Sequence, residues 1–307
     1  MEKKILLAVD DSRHSRNAIN YAVNVSSFVK NLHYVLFHVQ PVISLFLKEE
    51  AQKSLTAKRK LKSVVKKNTE SALGLLENYQ DEMVGMGIDS DRIETVTRTR
   101  KLGLGKDIID FGQNRNFDAI VVGRRGLSRL QEMYMGSVTS NVLEHSRVIP
   151  VWLVDGNVTS TEILVAIDGS ESSLRTIDHI SFMVSNNPEV RLTLLHVTSD
   201  ARNFNLDEEP NPELEQIVAR GDKASIEQFY PHAKQKFKDV GISEGQIEMK
   251  TVKGGRRAGN AILDYALKGN YGTVVIARRG VNKAFFMGSV SRYIINRVSN
   301  RALWIVT

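Results

Sequence analysis

The 307-residue chain reads as an α/β protein made of two tandem, doubly wound domains, each around a five-stranded parallel sheet. Three observations carry this reading. The length fits two domains of roughly 150 residues each. The sequence repeats itself once, in order and with near-constant spacing. Within each copy, short apolar β-branched runs alternate with longer stretches of helical period, the pattern of a parallel sheet covered on both faces.

The repeat is explicit. Ile5-Leu6-Leu7-Ala8-Val9-Asp10-Asp11-Ser12 returns as Ile163-Leu164-Val165-Ala166-Ile167-Asp168-Gly169-Ser170, offset by 158. Leu36-Phe37-His38-Val39 returns as Leu194-Leu195-His196-Val197 at the same offset. The run Ala119 to Gly126 returns as Thr273 to Gly280, offset by 154, and Trp152 returns as Trp304, offset by 152. The domains are expected at 1–155 and 160–307, joined by the short polar segment Asp155-Gly156-Asn157-Val158-Thr159-Ser160-Thr161.

In the first copy the strand candidates are 4–10, 33–39, 93–98, 118–123 and 149–154. Each is a near-continuous apolar run, as a strand buried on both faces requires. The stretches between them, 13–30, 44–86, 104–115 and 137–146, carry the helical period. Right-handed crossovers then leave few topologies. Ligands of such sheets bind beyond the carboxyl ends of the strands where the strand order reverses. The turn at Asp10 and the loop at Gly123 both follow strands, so both belong to that rim. The apolar last strands, 148–154 and 301–306, are placed to pair across the two units, which would cover exposed sheet edges and make the monomer a pseudo-dimer.

The chemistry gathers in Gly123-Arg124-Arg125-Gly126, nine intervening residues, and Gly136-Ser137-Val138-Thr139. A glycine pair after a strand permits a tight turn with outward N–H groups. The second group opens a helix whose first amides lack internal partners and favour phosphate. Ser137 and Thr139 add hydroxyls, Gly136 admits close approach to the backbone, and Asp10 can accept hydrogen bonds from ribose or an adenine amine. Each feature alone has a structural reading: glycine punctuates turns, Ser137 can cap its helix, and Asp10 can cap the helix near residue 13. Together they point to a nucleotide. The Arg-Arg pair reads equally as a bidentate phosphate contact or as solvated charge.

These residues, with the Ile5–Asp10 and Leu36–Val39 runs, resemble the universal stress protein family over essentially the whole chain, once per half. The resemblance implies a Rossmann-like fold of the adenine-nucleotide α-hydrolase type, binding ATP or AMP, often with magnesium held by the phosphates rather than by protein ligands. It places the adenine side at Ala8, Asp10 and Val39. The phosphate and ribose side falls at Gly123, Arg125, Gly126, Gly136, Ser137, Val138 and Thr139. In the second copy Asp168, Val197, Gly280, Gly288, Ser289, Val290 and Ser291 keep matching residue types, but Ala277 replaces the first glycine and only seven residues separate Gly280 from Gly288. Two missing residues remove up to about 7 Å of reach, and Ala277 would be strained if that position needed positive φ. The second site is therefore a possible one, either altered or vestigial, with the vestigial reading favoured.

Competing functions narrow by absence. The chain has no cysteine, which excludes disulfides, thiolate metal sites and a cysteine nucleophile. It has no P-loop, no nucleophile elbow and no metal-ligand histidine spacing. His38 and His196 read as a repeated structural histidine at a strand end. The leading expectation is a stress-response regulatory protein that binds ATP or AMP and is not an efficient enzyme. The alternatives are slow ATP hydrolysis or phosphoryl transfer using Asp10 and Mg²⁺, and a ligand-free pseudo-dimeric scaffold. A homodimer and an unidentified protein partner are compatible with either.

Net charge is +7, and residues 1–154 hold 23 Lys and Arg against 17 Asp and Glu. Much of the excess is Lys58, Arg59, Lys60, Lys62, Lys66 and Lys67, read as a solvated helix face rather than a nucleic-acid patch. No apolar run reaches the roughly 20 residues of a bilayer span, and the first apolar stretch is too short for a signal peptide. A cytoplasmic protein without a membrane partner is the expectation.

Overall fold

The computed structural model describes residues 2–124, 137–198, 212–254, 257–278 and 287–307. The first half runs β1 (Lys3–Ala8), α1 (Arg13–Val25), β2 (Leu32–Gln40), α2 (Leu45–Lys53), α3 (Leu55–Gly85), β3 (Ile93–Thr99), α4 (Leu104–Asn114), β4 (Ala119–Gly123), α5 (Ser137–His145) and β5 (Val151–Val154). The second half repeats the plan with β6 (Ile163–Ile167), α6 (Glu171–Val184), β7 (Leu192–Thr198), α7 (Pro212–Asp239), β8 (Ile247–Lys253), α8 (Ala258–Lys268), β9 (Thr273–Ala277), α9 (Ser289–Arg297) and β10 (Ala302–Val306).

Local signals explain most boundaries. Ser12 and Ser170 cap α1 and α6, their hydroxyls accepting the N–H groups of Ser15 and Ser173. Asn31, Asn116, Asn186, Asn270 and Asn300 lie in helix-to-strand connections with φ between 49° and 58°. Asparagine tolerates that left-handed region better than other side chains bearing a Cβ. The single helix expected over 44–86 is two. Ser54 is extended (φ −132°, ψ 126°), which ends α2, and its hydroxyl accepts the Ala57 N–H that starts α3. β1 ends at Ala8, so Asp10 stands in the turn beyond the strand and not on it.

All ten strands join one sheet in the order β3-β2-β1-β4-β5-β10-β9-β6-β7-β8. Every neighbouring pair is parallel except β5 and β10, which run antiparallel with Trp152 opposite Trp304. The last strands therefore pair across the halves, and each covers the edge the other would expose. The two indole rings stack at 3.8 Å between centroids with no tilt. One apolar layer, under α1, α3, α6 and α7, runs continuously through both halves and contains both tryptophans. The opposite layer packs α4, α5, α8 and α9 on the other face.

Candidate functional site

In each half the chain leaves the first strand towards one side of the sheet and returns to its fourth strand on the other. The strand order thus reverses between β1 and β4, and again between β6 and β9. A cleft of about 110 Å³ opens at the first of these points. Ala8, Asp10, Val39, Gly123, Val138 and Thr139, expected from sequence, all line it. So do Phe37, Leu104, Ile108 and Val122, which supply apolar wall, and Ser12, His14, Ser15 and His38, which supply polar groups. Leu104 and Ile108 escaped the sequence reading because α4 is amphipathic in an ordinary way. Only its packing beside α5 turns that apolar stripe to the cleft. Arg125, Gly126 and Gly136 lie outside the described residues, as does the Ser137 side chain, although α5 begins at Ser137.

Asp10 is held by the start of α1. Its Oδ1 accepts the hydroxyls of Ser12 and Ser15, the latter at 2.7 Å, and its backbone N–H donates to Ser15 Oγ at 2.9 Å. The Asp10 carbonyl accepts the Tyr79 hydroxyl at 2.9 Å. Burial pushes that phenol up to about 12, against the opposing pull of nearby Arg16, so it remains a donor at neutral pH. The helix cap is Ser12; Asp10 is tied to it through the two hydroxyls. Asp168 repeats the arrangement, its Oδ1 accepting the Ser173 hydroxyl at 2.6 Å and the Ser170 N–H at 3.0 Å.

Other expected groups have internal partners. The Thr139 hydroxyl donates to the Gly123 carbonyl at 3.2 Å, tying α5 to the end of β4, and Ser291 does the same to Ala277 at 2.8 Å. His38 Nδ1 lies 2.9 Å from the Val9 carbonyl and therefore donates to it, and His196 is similarly placed on Ile167 at 3.3 Å. Both act as struts between adjacent strands. Gly123 does not have positive φ. A Cβ there would lie 2.4 Å from the His14 carbonyl oxygen, so the glycine is required by the close approach of α1. Ala277 likewise lies outside the left-handed region, and the strain considered for it does not arise.

Arg124 is not solvated. It is 7% exposed and crosses to the other half, donating to the carbonyls of Val298 and, at 2.8 Å, Asn296 at the end of α9. Arg278 reciprocates on the carbonyls of Ser146 and, at 2.8 Å, Glu144 at the end of α5. Each half thus caps a helix of the other with a guanidinium, where carbonyls lack partners and the helix dipole favours a cation.

The second cleft is roomier, about 280 Å³, and is lined by Asp168, Val197, Gly288, Ser289, Val290 and Ser291. Gly280 lies outside the described residues. Here the Gly288 N–H, first of the amides at the α9 start, already donates to the Arg278 carbonyl at 3.2 Å.

The profile of the Universal stress protein family matches residues 1–155 and again 160–304. The chain belongs to the universal stress protein family. A universal stress protein of Mycolicibacterium smegmatis is 25% identical over 204 residues, and the match spans 65% of this chain and 65% of that relative's own length. The universal stress protein MJ0577 of Methanocaldococcus jannaschii is 27% identical over 154 residues, which is 91% of its length but 48% of this chain. A solved universal stress protein from Archaeoglobus fulgidus superposes with a TM-score of 0.70 at 20% identity, covering 99% of this chain and 98% of its own. That likeness is one of fold.

Proposed function

We propose that the first half binds an adenine nucleotide, ATP or AMP, at the β1/β4 cleft as a regulatory ligand. The observation that carries the reading is the joining of three parts at a strand-order reversal. Apolar walls from Ala8, Val39, Leu104 and Ile108 suit a flat base. The serine-tethered carboxylate of Asp10 suits ribose hydroxyls or an exocyclic amine. The start of α5 faces the same cleft, and the amides of a helix N-terminus favour phosphate. When bound, Mg²⁺ would supply charge neutralisation on the phosphates. Ser137 and the glycines of the 123–137 run are assigned to the phosphate end.

A regulatory ligand is favoured over a substrate by the state of Asp10. Its Oδ1 already accepts two hydroxyls, so that oxygen is engaged within the protein and not aimed at an attacking water. The second cleft is assigned no nucleotide of its own, because the Gly288 amide is already engaged.

Calorimetric titration with ATP and Mg²⁺ tests the reading. One nucleotide per chain is expected. Val138→Trp should abolish binding by filling the cleft, and Asp10→Ala should weaken it about tenfold, as loss of a charged hydrogen bond does. Phosphate release should not fall in Asp10→Ala; a fall would restore the slow ATPase. No binding at millimolar ATP would leave the scaffold.

A further inference from the structure

Half of α3 serves no purpose in the core. Its buried residues are Ala72, Leu76, Tyr79 and Met83, all in the C-terminal part, and α2 buries none. Yet the two helices are not polar. Leu55 is 77% exposed, Leu45 73% and Phe46 71%, with Val64 and Val65 also open to solvent. Between Leu45 and Lys67 eight Lys and Arg stand against two Glu. The ion pairs formed there, Lys53 with Glu50 and Lys66 with Glu70, are within single helices and largely exposed, so they do little to reduce the field.

The fold does not demand this composition. The equivalent stretch of the second half, residues 212–228, carries two basic and four acidic residues. The basic, apolar arm is therefore a property of the first half alone, and it accounts for the charge asymmetry between the halves.

We propose that the α2–α3 arm docks on an anionic lipid surface. Leu45, Phe46 and Leu55 enter the boundary between headgroups and acyl chains, and the surrounding Lys and Arg hold the headgroups. Charge complementarity selects an anionic occupant, and the exposed Leu and Phe select one with an apolar layer beneath its charge. A nucleic acid would use the charge but not the aliphatic chains, and one phenylalanine is no stacking platform. A second copy in a two-fold contact would bring the same basic arms face to face. No helix among the described residues is long and apolar enough to cross a membrane; lying on a bilayer requires only exposed apolar side chains beside basic ones.

Flotation of the full chain with vesicles tests this, comparing phosphatidylcholine alone with phosphatidylcholine containing about 30 mol % phosphatidylserine. Binding to the charged vesicles should be at least about tenfold tighter and should fall as salt rises. The triple variant Lys58→Glu, Lys62→Glu, Lys66→Glu should lose at least about tenfold of that partition. Leu45→Ser with Phe46→Ser should also lower it while leaving its salt dependence. All five residues are exposed, so the far-ultraviolet dichroism and ATP titration of these variants should match the parent. Equal affinity for both vesicles, or binding unchanged in the arm variants, would overturn the proposal. So would arm-dependent binding of a DNA or RNA duplex, or arm-dependent self-association, without vesicle binding.

Discussion

Tyr21 and His179 stand at equivalent positions of α1 and α6 and meet the two tryptophans from the opposite half. The Trp304 indole donates to the Tyr21 hydroxyl at 2.7 Å, and the Trp152 indole donates to His179 Nε2 at 3.3 Å. The imidazole is thus neutral and protonated on Nδ1. Desolvation beside the indole lowers it from the usual 6.5 to about 4. The sign follows: the folded state binds this proton less well than the unfolded chain. Its contribution is whole above pH 6.5, declines as pH falls, and is lost by about pH 4, a loss of about 3 kcal/mol. Urea midpoints at pH 7 and pH 4.5 should show that loss in the parent and not in His179→Phe. Gly123 makes a second test at this scale. Gly123→Ala should cost about 1–3 kcal/mol in thermal unfolding, because the new Cβ meets a backbone carbonyl. ATP affinity should fall with it if the β4 end frames the nucleotide.

Among the elements, the nine-residue helices α5 and α9 carry two duties. Each opens beside its own half's cleft and ends under an arginine from the other half. Arg124→Ala would leave two carbonyls at the α9 terminus without their charged donor. It should destabilise the chain by about 2–4 kcal/mol, and Arg124→Lys should rescue little, since an ammonium cannot reproduce the fork. Because the only two tryptophans lie stacked at the seam, their fluorescence should report the loosening directly. The divided helix at Ser54 shows the same economy of signal. One serine hydroxyl, with a change of backbone region, turns an apparently continuous helical pattern into α2 and α3.

At the scale of the whole molecule, the β5–β10 seam makes one ten-stranded sheet from two five-stranded halves. The pairing is antiparallel and nearly self-complementary, Trp152 facing Trp304. An isolated segment 1–155, taken as a domain, would expose β5 as an apolar edge. It should dimerise through a β5–β5 pairing in sedimentation equilibrium, and Trp152→Lys should hold it monomeric. A segment that stays monomeric with Trp152 intact would show that β5 needs β10 specifically.

Duplication, strand and helix alternation, the pairing of the closing strands and the Asp10, Gly123 and Val138 rim were all legible in the sequence; that the closing strands pair antiparallel came from the structure. Each rests on hydrophobic period or on local backbone demands, and these are written residue by residue. The paired capping serines Ser12 and Ser170, the Ser54 break and the five asparagine turns are local too, though easily passed over. What residue order could not tell was which partner each polar group would find. Arg124 sits in a nucleotide-like run, yet its guanidinium serves a helix of the other half. Thr139 carries a hydroxyl expected from sequence to face a phosphate, yet donates it to Gly123. Gly123 is needed for the His14 backbone and not for a left-handed turn. The basic run at 58–67, by contrast, is exposed as a solvated helix face should be, because only the C-terminal part of α3 reaches the core. Sequence determined the two-unit α/β architecture, because burial pattern is a local record of the core. Tertiary structure alone decided which donors are spent inside the protein and which surfaces remain for a ligand, because hydrogen bonds and exposure depend on segments that meet only when the sheet closes.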